Sequence, residues 1–277
     1  MASLSQIENH LKKYGWVVVE LPNSEPVFAA RSALSEELIK LTGEKDISLE
    51  KYHKFAKNDL QHTELQIQLT QFFRSQRWGP KIIKEQVGFL NNLLGRDINV
   101  QSQPYLRITR PKKPQDNIGY HRDTFYGGSP FELSILIPYV DVPVESALSV
   151  LSGSHLQPES DFPTTQIQNE DVEKGSAKHQ LGFLYAPKLI DPSCTVDMQP
   201  IPLKLGEALI FNLATVHGSV ENNGICSRWS SDIRVVNALA PVDLSMRPTY
   251  YEKLSRSIIT EIAEIYHNNE STTCAKI

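Results

Sequence analysis

The run Ser227-Arg-Trp-Ser-Ser-Asp-Ile-Arg-Val-Val236 reads as a β-strand: β-branched and aromatic side chains are interleaved with small polar ones, and no helical spacing runs through it. Side chains alternate between faces along a strand, so Arg228 and Arg234 share one face and Trp229 takes the other, packing outward. Similar short runs occur from about Val100 onward, at Gln103–Thr109, Glu132–Val140, Ala147–Leu151, Leu181–Tyr185 and Glu207–Asn212, separated by Pro, Gly, Asn and Asp. Few helical stripes intervene, which counts against alternating βαβ units. The pattern predicts an all-β core: a sandwich, jelly roll or barrel.

Helices are expected on either side of that core. Ala30, Leu34, Leu38 and Leu41 recur at helical spacing with Gly43 as a stop, and Ile83, Val87, Leu90 and Leu94 do the same before Gly95. Beyond Pro248, Leu254, Ile258, Ile262 and Ile265 predict one closing helix. The expected organisation is a single domain over 1–277. A mainly helical flank covers 1–99, a β core covers 100–240 with a polar insertion at 152–206, and the closing helix covers 248–267.

Composition narrows the function classes. The 277 residues are 40% hydrophobic and 22% charged, an ordinary globular balance and not a disordered one. Lys and Arg total 28 against 32 Asp and Glu, a net charge of −4. That balance argues against a general nucleic-acid binder, which needs a basic face, but leaves room for a basic pocket around one small anion. Cys194, Cys226 and Cys274 fit neither a disulfide framework nor paired zinc spacing. Met1–His10 lacks the pattern of a secretory signal, and apolar runs such as Val17–Val19 are far too short to span a membrane. A reducing, cytoplasmic compartment is expected, with no membrane partner and an open oligomeric state.

The chemistry is expected at His121, Asp123 and His217. In Gly119-Tyr-His-Arg-Asp123 the imidazole and carboxylate are two residues apart, so in extended chain both aim the same way. A distant histidine, His217 in Thr215-Val-His-Gly-Ser219, can complete a facial triad that holds Fe(II) and leaves positions open. His-x-Asp alone is a weak signal. What strengthens it is Arg228, eleven residues after His217, whose planar fork pairs with a carboxylate, and Ser219, which can add a hydroxyl. A metal triad beside a carboxylate clamp suits a 2-oxo acid. Arg234, on the same face, competes with Arg228 for the clamp role.

The C-terminal part of the chain, about 170 of the 277 residues, resembles the phytanoyl-CoA dioxygenase-like branch of the Fe(II)/2-oxoglutarate oxygenases. The matching elements come in order: His121-Arg-Asp123, Ala147-Leu-Ser-Val-Leu-Ser-Gly-Ser-His155, Gly206-Glu-Ala-Leu-Ile-Phe211, His217-Gly-Ser219 with Asn222, and Arg228. The resemblance implies that the 100–240 core is a jelly roll, a double-stranded β-helix in which His121, Asp123 and His217 bind iron and Arg228, helped by Ser219, binds 2-oxoglutarate. Two positions depart from the family: Ser152 stands where Pro is common, and Ser146-Ala147 where Asn-Gly is. Both are expected to lie away from the ligands. Asp123 is retained, which disfavours the halogenating chemistry of relatives that replace this carboxylate. By the same resemblance His155 is structural. His179, in the insertion, is expected to be a solvated loop residue, as is the Pro111-Lys-Lys-Pro114 run.

The function these readings imply is a non-haem Fe(II)/2-oxoglutarate-dependent dioxygenase using O2. It would hydroxylate an unactivated C–H bond of a small, polar metabolite, with succinate and CO2 as co-products. The insertion, the helical N-terminal part and the loop Thr124–Pro130 are expected to shape the substrate pocket. Two alternatives stand beside it: a non-catalytic jelly-roll binding protein, and a cupin-like metalloenzyme that does not use 2-oxoglutarate.

Overall fold

The structure is a computed structural model, and it describes residues 3–165, 187–219, 221–243 and 247–274. Its centre is the strand that opens at Arg228. In chain order the elements are α1 (Leu4–Tyr14), β1 (Trp16–Glu20), α2 (Glu25–Thr42), α3 (Tyr52–Phe55), α4 (Asp59–Ser75), α5 (Trp78–Lys84), α6 (Val87–Leu94), β2 (Ile98–Gln101) and β3 (Tyr105–Thr109). Then come β4 (Glu132–Pro138), β5 (Leu148–Val150), β6 (Gln199–Ile201), β7 (Glu207–Asn212), β8 (His217–Gly218), β9 (Arg228–Asn237), β10 (Tyr251–Ser255) and α7 (Ile258–Cys274).

Strand β9 is flanked by β4 on one side and by β3 and then β2 on the other, all antiparallel. The seven-stranded sheet runs β1-β7-β4-β9-β2-β10, with β3 also paired to β9; a smaller sheet runs β6-β5-β8. Alternation along these strands sorts side chains into two layers. Ile135, Ile137, Trp229, Ile233 and Val235 join a core with Val27, Leu34, Leu38, Leu69, Phe73 and Ile82 of the helices. Leu136, Leu209 and Phe211, on the opposite face, pack with Val150 and Ile201 between the sheets. This is the antiparallel jelly-roll core with flanking helices that the family resemblance implies, one of the architectures the strand pattern leaves open.

Several elements differ from expectation. Val17–Val19 belongs to β1, which pairs with β7 from Trp16↔Phe211 to Glu20↔Glu207, so the N-terminal flank supplies an edge strand. The stripe from Ile83 to Leu94 is broken at 85–86 into α5 and α6. The closing helix expected at 248–267 is corrected: Tyr251–Ser255 is a strand held by β2, and the helix begins only at Ile258. Ile258, Ile262 and Ile265 are 57–67% exposed, so α7 does not close over the core. The Leu181–Tyr185 run and His179 lie outside the described residues. Among the described residues no helix is long and apolar enough to cross a membrane.

Candidate metal centre and cosubstrate pocket

His121 and His217 meet through their backbones. They form an antiparallel bridge in which each N–H donates to the other's carbonyl at 2.9 Å. Gly218 permits the approach: its φ is 150°, and a Cβ there would lie 2.0 Å from the Gly119 carbonyl oxygen. Arg122 is extended and points away, its guanidinium donating to the Ser154 and Gln157 carbonyls and lying over the Phe162 ring. Asp123, at the start of a short 3-10 turn, comes back to the histidine side, as the two-residue spacing predicts.

The three side chains converge. Asp123 Oδ1 lies 3.5 Å from His121 Nε2 and 3.8 Å from His217 Nε2, and one ligand atom from each residue falls within 4.8 Å of the others. All three residues are buried. His121 Nδ1 sits 2.9 Å from the Gly119 carbonyl and His217 Nδ1 2.9 Å from the Thr215 carbonyl. A carbonyl can only accept, so both rings carry their proton on Nδ1 and present a bare Nε2 toward Asp123. Burial, then the neighbouring His121, bring the His217 pKa down to about 4, which keeps that imidazole neutral. Burial, the largest single influence, would raise the Asp123 carboxyl; the Arg234 guanidinium and the two histidines together outweigh it and hold the carboxyl well below the usual range.

Arg228 and Arg234 have different tasks. Arg234 Nη2 donates to Asp123 Oδ2 at 2.6 Å, so it is committed to the carboxylate of the triad. Arg228 is buried, donates to the Ser146 carbonyl at 2.8 Å and to Ser219 Oγ at 3.3 Å, and its buried Nε has no partner among the described residues. Burial brings its pKa down to about 10, with Asp232 opposing. A buried guanidinium that meets only neutral oxygens is a site for a ligand carboxylate.

Both arginines, the two histidines, Ser219 and Gly218 line one cavity, with Arg107, Asp116, Asn117, Tyr126, Leu136 and Asp232 among its other walls. Ser219 Oγ donates to Asn117 Oδ1 at 2.7 Å, and Tyr126 OH donates to Asp123 Oδ1. Sequence reading missed Asn117 and Tyr126 as functional residues. Tyr126 lies in the loop expected to shape the pocket, but neither residue is in a recognisable motif. Among the described residues, neither the insertion nor the N-terminal helices contribute to this wall, and residues 166–186 of the insertion lie outside the described residues. Ser146 is also corrected: its carbonyl contacts Arg228 and so belongs to the clamp. Ser152, the other departure, accepts from Trp16 Nε1 at 2.8 Å. His155 binds the Lys12 carbonyl and docks α1, the structural part expected of it. Trp229, on the other face of β9, donates to the Leu49 carbonyl and packs edge-on to Tyr52.

Residues 11–230 match the phytanoyl-CoA dioxygenase (PhyH) family. The chain belongs to the phytanoyl-CoA dioxygenase family. The matched span begins at residue 11, so the helical N-terminal part, which carries no signature of its own, lies within it. No curated protein matches the chain. Among solved structures it is similar to the non-haem monooxygenase ThoJ in its apo form, at 14% identity over 92% of this chain and 84% of that one, with a TM-score of 0.55. It is also similar to EvdO2 from Micromonospora carbonacea var. aurantiaca complexed with 2-oxoglutarate, at 16% identity over 86% of this chain and 94% of that one, with a TM-score of 0.52. These likenesses show the jelly-roll fold. The cofactors of this PhyH-family chain are Fe(II) and 2-oxoglutarate, with O2. The donor set fits them: two bare imidazole nitrogens and a carboxylate for the metal, and for a dicarboxylate a buried guanidinium that hydrogen-bonds only to neutral oxygens.

Proposed function

We propose that this chain is a non-haem Fe(II)/2-oxoglutarate-dependent dioxygenase that hydroxylates an unactivated C–H bond of a small polar metabolite, releasing succinate and CO2. The observation that carries the reading is the placement of Arg228 in the same cavity as the His121–Asp123–His217 cluster. A structural triad would have no need of a buried cation beside it with an unpaired Nε.

In this reading His121 Nε2, His217 Nε2 and Asp123 Oδ1 hold the metal, and the carbonyls of Gly119 and Thr215 keep both imidazoles in the ligating tautomer. Arg228, oriented by the Ser146 carbonyl and Ser219, receives the far carboxylate of 2-oxoglutarate. Asn117 fixes the Ser219 hydroxyl proton, leaving the oxygen lone pairs toward Arg228. Fe(II) with bound 2-oxoglutarate supplies O2 activation, with oxidative decarboxylation of the cosubstrate driving two-electron oxidation of the substrate. Burial of the three ligands excludes bulk water from the reacting centre. The polar lean in substrate class rests on the Ser, Thr, Asn and Gln content of the segments around the site.

The test is succinate release from 2-oxoglutarate by the full chain with Fe(II), O2 and a panel of small polar metabolites, the products then being analysed by mass. The reading expects metabolite-stimulated succinate, a product heavier by one oxygen, and loss of both in Asp123→Ala. Turnover indifferent to 2-oxoglutarate would point to the cupin-like alternative, and absence of metal binding to the binding-protein one.

A further inference from the structure

We propose that Arg234 is a positioning residue that fixes Asp123 so that only Oδ1 is available to the metal. The inference rests on the reading of His121, Asp123 and His217 as the metal ligands. Arg234 is not a spare candidate for the cosubstrate clamp; its guanidinium has another partner.

The two oxygens of Asp123 are divided between tasks. Oδ2 accepts from Arg234 Nη2 at 2.6 Å, whereas Oδ1 faces both imidazole nitrogens and accepts from Tyr126. A carboxylate with both oxygens free can rotate or chelate. Chelation would consume one of the positions that a facial triad leaves for a 2-oxo acid and O2. A charge-assisted bond on Oδ2 blocks that rotation and keeps Asp123 monodentate.

Arg234 is itself held on rigid chain. It lies opposite Ser134 of β4, and its N–H faces the gap between β3 and β2, where the Gln101 side-chain oxygen accepts it at 3.2 Å. Its side chain is 13% exposed, so water competes little for the guanidinium. Asp232, the neighbouring carboxylate on the same face, is 3.8 Å from Arg107, which leaves Asp123 as the acid in hydrogen-bond contact with Arg234. The spacing of six residues from Arg228 puts both arginines on the cavity face of β9, one for each ligand class.

A mere counter-ion would behave oppositely. A cation beside a divalent metal repels it, so if Arg234 only neutralises Asp123, its removal should tighten metal binding. If it positions the ligand oxygen, removal should weaken metal binding by about 10- to 100-fold, the usual effect of losing a partner of a ligating carboxylate. The experiment titrates the full-length apoprotein with Co(II), read by calorimetry and by visible absorption, for wild type, Arg234→Met, Arg234→Lys and Asp123→Ala. Thermal unfolding of each apoprotein reports on its fold. The expected result is weaker Co(II) binding by Arg234→Met, a changed ligand-field spectrum at saturation, and partial recovery of both in Arg234→Lys. Equal or tighter binding by a folded Arg234→Met overturns the proposal. Should Arg234→Met fail to fold, Arg234→Lys decides: binding and spectrum identical to wild type overturn it, weaker binding sustains it. Wild-type binding no better than that of Asp123→Ala would remove the metal site itself, an outcome distinct from a failure confined to Arg234.

Discussion

His121 and His217, 96 positions apart in the chain, are each other's backbone hydrogen-bond partners, at 2.9 Å in both directions. The two imidazoles therefore sit side by side, with ring centroids 4.5 Å apart, because the main chain holds them there. The cluster is as rigid as the pairing beneath it, and the pairing depends on Gly218.

Gly218→Ala should break that pairing. A Cβ would fall 2.0 Å from the Gly119 carbonyl oxygen, at a φ that side chains rarely adopt. We expect a loss of about 1–3 kcal/mol in unfolding free energy by denaturant titration, accompanied by weaker metal binding. Unchanged stability and metal affinity would show that the bridge does not hold the site.

Arg228→Ala should weaken 2-oxoglutarate binding strongly without removing metal binding. Truncating one partner of a buried charge pair costs about 2–5 kcal/mol, which is roughly 30-fold or more in affinity. Ser219→Ala, which removes one acceptor from Arg228, should have a smaller effect in the same direction. Calorimetric titration of the metal-loaded protein with 2-oxoglutarate checks both. An Arg228→Ala protein that binds as wild type would mean the carboxylate goes elsewhere.

The adjacent residue tests the opposite face of the same strand. Trp229→Phe removes the donor to the buried Leu49 carbonyl, and should cost about 1–3 kcal/mol of stability. Its 2-oxoglutarate affinity should be unaltered. A change in that affinity comparable to the one expected for Arg228→Ala would contradict the division of faces along β9.

Stability should fall with pH below about 6.5. Burial, its largest cause, lowers the His62 pKa to about 4, and His217 is brought to about the same value. An unfolded chain takes up protons on both residues near pH 6.5, while the folded chain stays neutral there. Their contribution is therefore complete above pH 6.5 and is lost as pH falls toward 4, by about 3 kcal/mol for His62. Asp116, whose Oδ1 lies 3.5 Å from His62 Nε2, opposes the shift, but burial outweighs it. Melting temperatures of the apoprotein across this window should show a shallower slope for His62→Gln; an identical slope would exclude His62 as a contributor.

Much of this architecture was legible in the sequence, for reasons that also explain what was not. β7 was bounded at Glu207 and Asn212, and β9 within a residue at each end, because both are apolar-rich runs between turn residues. The parity of Arg228, Trp229 and Arg234 followed from the strand period alone. β1 hid in a helical neighbourhood, where Val17–Val19 becomes a strand only through β7. β10 carries an apolar residue, Leu254, at a helical interval from Ile258, and its strand state comes from pairing with β2. The task of Arg234 was open because parity gives a face and not a partner. Tyr126 and Asn117 were invisible because a hydroxyl on a ligand oxygen and an amide behind Ser219 have no spacing rule.

The most direct test is an anaerobic titration of the apoprotein with Fe(II) and then 2-oxoglutarate, watching for the visible metal-to-ligand charge-transfer band. The account predicts that the band appears in wild type, is lost in Asp123→Ala for want of metal, and in Arg228→Ala requires far more 2-oxoglutarate. Iron binding with no band at any 2-oxoglutarate concentration would contradict it.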